Sequence, residues 1–392
     1  MLIHWIWFAQ LQGMSQRQKM NLLRQGAEPE DLYHAQSAEL TGMEGMTEEG
    51  VKALSQKDLQ EARRIGESCR QNGIGIVTFR DAAYPDRLRN VSDGPVLLYY
   101  RGTFPDLEEQ PVIALVGTRK ATPYGIRTTR SLAAQLAVCG GLVISGGASG
   151  VDTAAMEAAL EAGCTTVGVL GCGVDVVYPV SNRKLFAEVA KKGCLISEYP
   201  PGDRPEPWHF PQRNRILSGI SHGVLVVEAP RKSGALITAR CALEQGRDVF
   251  AVPGNIDSAA CEGSNELLLE GAQPVMTGWQ LLQSYSPLFP DTVARRELPA
   301  GGEKKTENSE PDKKAIDNPA DRPYDCMMDR LKKLGSEEQA LMAHLSAEPI
   351  LLDELIAKCQ LPAAKVLRMT TLLSMEGLVI MHPGRRISAK TE

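Results

Sequence analysis

Between residues 112 and 252 the chain carries six short, uninterrupted apolar runs separated by stretches of helical periodicity. The runs fall at 112–116, 142–144, 166–170, 194–197, 224–227 and 249–252. The helical stretches fall at 124–138, 152–162, 182–192, 213–218 and 235–245. A strand that is apolar at every position must be covered on both faces, and intervening helices supply the crossovers that parallel pairing requires. The pattern predicts an α/β fold with a doubly wound, mostly parallel Rossmann-like core. Its ligand is expected in the crevice outside the carboxyl ends of the strands.

At 392 residues the chain is too long for one ordinary domain. Residues 1–110 read as a small helical N-terminal domain: Leu22, Leu23 and Leu32 recur at helical spacing, as do Leu54, Leu59, Ala62 and Ile65. A strand is expected at 95–100. The core then occupies 111–285. Residues 286–330, rich in Pro, Glu, Lys and Asp, bury too little apolar surface to offset their ordering entropy and are expected to be a flexible linker. Residues 331–392 give a helix from Leu351, a second over 361–373, then a hairpin over 377–387, which is the order of a winged helix.

The nine cysteines are odd in number and lack CxxC spacing, so neither a disulfide framework nor a structural metal site is expected. The apolar start at residues 1–8 has no basic flank and runs into a polar stretch, which excludes a signal peptide or membrane span and leaves a packed terminal element. A cytoplasmic protein with no membrane insertion fits best.

Each predicted strand ends in a loop of glycines, small polar residues and cations. The first carries Gly117, Thr118, Arg119 and Lys120, and the second Gly146 and Gly147. Arg183 and Lys184 follow the third strand, and Phe210, Arg213, Asn214 and Arg215 follow the fourth. Arg231, Lys232 and Arg240 follow the fifth. Glycines admit an anion to backbone N–H groups, and the next helix N-terminus adds partial positive charge. One such loop is an ordinary βα turn, but several along one edge point to phosphate. The net charge of the chain is −5, and residues 111–285 balance 15 Lys and Arg against 15 Asp and Glu. The cations are therefore concentrated at a rim rather than in excess. Tyr124, Tyr178, Phe186, Trp208, His209 and Phe210 lie among them, and cations interleaved with aromatic faces suit single-stranded bases.

Enzyme signatures are thin. There is no GxxxxGK[ST] and no HExxH. The GxSxG match at 219–223 precedes a predicted strand, whereas a nucleophile elbow must follow one. Asp152, Asp175, Glu198 and Glu228 are the candidate carboxylates, and helix capping and loop hydrogen bonds account for Asp152 and Glu198 equally well. No catalytic residue and no cofactor are expected.

The core resembles the DNA-processing protein A (DprA, or Smf) family. The stretches that carry the resemblance are VGTRKATPYG at 116–125, ISGGASGVDTAAM at 144–156, LGCGVDVVYP at 170–179, SEYPPG at 197–202, HFPQRNRILSG at 209–219 and VVEAPRKSGALITARCALEQGRDVFAVPG at 226–254. The terminal unit also looks like the winged helix many members carry. The resemblance implies a dimeric, non-enzymatic protein of natural transformation that binds and protects incoming single-stranded DNA and loads the RecA recombinase onto it. The family's GSR or GTR arginine corresponds to Arg119, and its FPxRNR stretch to residues 210–215. The chain departs from the family pattern at Ser149, Met156 and Val180, so Arg183 or Lys184 is expected to supply the cation usual after Tyr-Pro. Two other readings compete: a nucleotide-cleaving Rossmann-like hydrolase, whose PGGxGT loop is absent, and a winged-helix transcription regulator. For the latter, residues 331–392 hold only 8 Lys and Arg against 7 Asp and Glu, which is weak for a duplex reader.

Overall fold

The computed structural model describes residues 2–296, 340–342, 344–346, 350–359, 361–375, 378–382 and 386–389. Most of the expected linker, residues 297–330, lies outside the described residues. The chain divides into two compact units, one up to Glu303 and one from Lys304.

The first unit is built on a nine-stranded sheet. Its parallel strands are β3 (Val112–Val116), β4 (Leu142–Ser145), β5 (Thr166–Leu170), β6 (Cys194–Ser197), β7 (Gly223–Val226), β8 (Asp248–Ala251) and the two-residue β9 (Gln273–Pro274). β1 (Gly75–Thr78) and β2 (Leu97–Gly102) add antiparallel strands at one edge, giving the order β1-β2-β6-β5-β4-β3-β7-β8-β9. The parallel strands run outward from β3 in both directions, so the switch point lies between β3 and β7.

The continuous apolar runs are explained by the sheet's two covered faces. Val112, Ala114 and Val116 of β3 join one hydrophobic cluster, while Ile113 and Leu115 join another. β8 and the residue after it divide the same way, Val249 and Ala251 against Phe250 and Val252. One face carries α11 (His209–Ile220) and α12 (Gly234–Glu244), and the other carries α8 (Pro123–Val138), α9 (Val151–Glu161) and α14 (Gly278–Gln283). α10 (Arg183–Lys192) covers the sheet beside β5 and β6 through Leu185, Phe186 and Val189. α8 begins where the sequence dictates: Thr122 caps it by accepting from Gly125 N, and Pro123 occupies a first-turn position that needs no N–H.

The N-terminal segment is helical as expected, with α1 (Leu2–Gln10), α2 (Gln16–Arg24), α3 (Pro29–His34), α4 (Ser37–Thr41), α5 (Glu48–Leu54), α6 (Gln60–Asn72) and α7 (Asp86–Arg89). It differs from the expectation in not forming a core of its own. Phe8, Met20, Leu23 and Ile65 belong to the same cluster as Val112 and Leu217, and β2 hydrogen-bonds directly to β6. The helical period read across Leu54, Leu59, Ala62 and Ile65 is interrupted between α5 and α6, where Lys57 turns inward. Its ammonium donates to Leu32 O and lies 5.6 Å from the Trp7 ring centre. Residues 286–296, read as the start of a linker, pack on the sheet unit instead: Val293 is buried and Ala294 N donates to Cys139 O. α13 (Glu262–Leu269), β9 and α14 follow β8 with no counterpart in the sequence reading.

The second unit contains β10 (Ile350–Leu351), α15 (Leu352–Cys359), α16 (Ala363–Met375), β11 (Val379–His382) and β12 (Arg386–Ala389). Its three strands pair antiparallel in the order β10-β12-β11 around Leu355, Val366, Leu373 and Ile387, which is a winged helix. The hairpin turn at 383–385 lies outside the described residues. Among the described residues no helix is long and apolar enough to cross a membrane, and all eight cysteines are free.

Candidate nucleic-acid interface

A cleft of about 750 Å³ opens at the carboxyl end of the sheet, at the switch point between β3 and β7. The loop after β3 forms one wall with Gly117, Thr118, Arg119 and Lys120, and Pro230, Lys232 and the first turn of α12 form the other. Tyr178 and the start of α11, with Phe210, Arg213 and Asn214, close it, and Ala148 and Asp152 contribute from below. The diverging crossovers on either side of a switch point leave this crevice in any doubly wound sheet. Here the N-termini of α9 and α12 both reach it, bringing helix-dipole positive charge.

Arg119 is exposed, and its guanidinium carbon stands 5.2 Å from the Phe210 ring centre. Phe210 in turn packs against Tyr178 with centroids 5.5 Å apart, and Tyr178 is 41% exposed. Lys120 and Lys232 are exposed on the opposing walls. Among the described residues, none of these three cations makes an ion pair. The loop that carries Arg119 is held from beneath by Glu228, fully buried, which accepts from Thr122 N and Thr122 Oγ1 at 2.7 Å each. Thr118 N donates to the Glu228 carbonyl at 2.7 Å. Glu228 is thus a fastening for the loop, with both oxygens engaged.

Arg213 forms the floor. It is 5% exposed, and Nη1 donates to Gly146 O at 2.5 Å and to Val169 O, while Nε donates to Asn214 Oδ1 at 3.2 Å. Burial lowers its pKa, opposed chiefly by the Asp152 carboxylate. Gly146 is required for this contact, because a Cβ there would lie 2.5 Å from Arg213 Nη2. Gly147 follows with φ +71°, a left-handed conformation that L side chains resist. These two glycines shape the floor and do not line the cleft. Asp152 sits in the first turn of α9 and accepts from Ala148 N at 3.2 Å, yet burial pushes its carboxyl up to about 6.

The remaining expected residues lie elsewhere. Arg215 is 8% exposed and points away from the cleft; Nη2 donates to Glu198 Oε1 at 2.7 Å and Oε2 at 2.6 Å. It lines a separate hollow of about 640 Å³ with Asp93, Gln245 and Arg247. Arg231 is exposed and paired with Glu262 and Glu266. Arg183 and Lys184 are exposed at the start of α10 and Arg240 on α12, and none lines the cleft. Of the other carboxylates weighed for catalysis, Glu198 is consumed by Arg215, and Asp175 Oδ1 accepts from Gly202 N at 2.9 Å. Asp152 is therefore the one carboxylate that lines the cleft among the described residues. Ala259 and Ala260, which complete one wall, carry neither charge nor aromatic ring, so nothing in the sequence marks them.

Sequence and structure comparisons place relatives alongside this geometry. The family model for DNA recombination-mediator protein A matches residues 40–286, and that for the DprA winged helix domain matches residues 329–385. Protein Smf of Synechocystis sp. is 32% identical over 389 residues, spanning 98% of this chain and 97% of its own. DNA processing protein DprA of Bacillus subtilis is 36% identical over 246 residues, 62% of this chain and 83% of its own. The X-ray structure of DNA processing protein A from Streptococcus pneumoniae superposes with a TM-score of 0.62 at 33% identity, covering 72% of this chain and 96% of that one.

Proposed function

The chain belongs to the DNA recombination-mediator protein A family, and from that membership we propose that it binds single-stranded DNA in the strand-end cleft and hands it, chemically unaltered, to the RecA recombinase. The observation that carries this reading is the pairing of exposed, unpaired cations with aromatic faces at one crevice: Arg119 on Phe210, Phe210 against Tyr178, with Lys120 beside Arg119 and Lys232 on the opposing wall. Cations grip the backbone and rings accept unstacked bases, whatever their sequence. Arg183, Lys184 and Arg240 extend the basic surface beyond the cleft and are proposed as outlying backbone contacts. Arg213 acts from the floor as a buried, fixed charge. Gly146, Gly147, Asn214, Arg215 and Arg231 serve by shaping or bracing the loops.

Natural transformation is the setting this reading implies, with a homodimer as the working form, protecting incoming DNA before the recombinase loads. The names of the relatives, DNA processing proteins and a recombination mediator, support a role on DNA. The competing reading as a nucleotide-cleaving enzyme would have to rest on Asp152, the cleft's carboxylate. One experiment tests both: binding of matched single- and double-stranded oligonucleotides, with release of nucleotide followed in the same samples. The expected result is tighter binding of the single strand with no breakdown. Equal or tighter binding to duplex would overturn the proposal, and breakdown abolished by Asp152→Asn would favour the enzyme.

A further inference from the structure

We propose that His4, Glu30 and His34 form a binding site for a divalent d-block cation of the zinc type, joining α1 to α3. One ligating atom from each residue lies within 4.8 Å of the other two, and His4 Nδ1 stands 3.8 Å from Glu30 Oε1. Two ligands at about 2.1 Å from a tetrahedral ion lie roughly 3.4 Å apart, so a small side-chain rotation closes the set. Glu30 and His34 are four residues apart on α3, which puts them one turn apart on the same helix face. That face meets α1, whose His4 ring lies 5.8 Å from that of His34.

The second observation is His4 itself. Its side chain is 6% exposed, and Nδ1 is buried without a hydrogen-bond partner. An unpaired buried ring nitrogen costs free energy that a ligand would recover. Tyr33, whose ring lies 4.9 Å from that of His4, walls the site. Two imidazoles and one carboxylate suit zinc, nickel or copper better than magnesium or calcium, which demand oxygen. His34 is exposed, leaving a fourth position for water. Such an ion would fasten α1, which packs on α6 and β2.

The test uses the full-length chain stripped with a chelator and titrated with cobalt(II), whose visible absorption reports tetrahedral sites, then with zinc(II) in competition. The expected outcome is one equivalent bound without thiolate charge-transfer absorption, and a melting temperature that rises with zinc. His34→Ala, at an exposed position that leaves folding intact, should weaken the affinity at least about tenfold and abolish the zinc-dependent rise. Glu30→Gln should do the same. Failure to bind either metal, unchanged affinity in His34→Ala, or a spectrum dominated by thiolate would overturn the assignment.

Discussion

The guanidinium of Arg119 lies over the ring of Phe210, 5.2 Å from its centre, so one flat cation and one flat ring share a surface at the mouth of the cleft. Neither group is needed to hold the loops: Glu228 secures the Arg119 loop, and Phe210 is only partly buried. Arg119→Ala should therefore weaken single-strand binding on every sequence and reduce the slope of log K against log salt by about 0.7. Its melting temperature should stay near that of the parent. Arg119→Lys should recover only part of the affinity, because an ammonium cannot make the paired hydrogen bonds of a guanidinium. Early melting of Arg119→Ala, with normal binding by the folded remainder, would make the residue structural.

Replacing Phe210 by Leu keeps apolar volume and removes the stacking face. Loss of one base platform corresponds to about 1–3 kcal/mol, read as a drop in affinity by fluorescence anisotropy with little change in salt slope. A parent-like affinity would remove Phe210 from the interface.

Arg215 makes the opposite prediction. Its bidentate partnership with Glu198 is buried, and its Nη1 has no partner even in the native state. Arg215→Met strands the Glu198 carboxylate and should cost about 3–5 kcal/mol of stability, measured by denaturant unfolding. Binding per folded molecule should be unchanged. A stable variant that loses DNA would reverse the roles given to Arg213 and Arg215.

The Asp152 carboxyl, pushed up to about 6 by burial, faces Arg213 and Arg119. In the unfolded chain it titrates near 3.8, so unfolded molecules release the proton first as pH rises. Its contribution to stability is complete below that value, falls as pH climbs to about 6, and is constant above. Above 6 the cleft floor also carries a negative charge, so single-strand affinity should decline as pH is raised from about 5 to about 7. Asp152→Asn should flatten that profile. A decline of equal size in the variant would assign the effect to another group.

Because the N-terminal segment shares the core of the sheet unit, residues 1–296 should fold and retain single-strand binding without the winged helix, whereas 111–285 alone should not fold. Circular dichroism melts of the two fragments check this. Cooperative melting of the shorter fragment would show that the shared cluster at Phe8, Met20 and Val112 is dispensable.

The strands β3, β5 and β6 were legible to the residue, because burial on both faces leaves their runs almost wholly apolar, with only Thr166 and Ser197 polar, each at a strand end. β7 and β8 begin one residue earlier than read, at Gly223 and Asp248, where pairing with the neighbouring strand overrides side-chain character. β1 could not be read, since it is four residues long and its edge position depends on β6, more than a hundred residues away. Within the site, Arg213 and Arg215 looked equivalent as neighbours in one basic motif. On a helix, two residues apart means roughly 200° of rotation, and they accordingly serve opposite faces. The carbonyls that claim Arg213 belong to β4's loop and to β5, pairings that no local sequence signal records.

Arg213 is held by Gly146 O and Val169 O before any ligand arrives. An anion entering the cleft meets a charge whose rotamer is already chosen, whereas the three rim cations must surrender side-chain freedom to meet it. Ordering each such flexible side chain costs about 0.5–1.5 kcal/mol. The floor thus supplies attraction with little entropic opposition, and the rim supplies reach at an entropic cost. Warming should therefore loosen the rim's grip first, leaving a strand that stays anchored at the floor while its flanks slide.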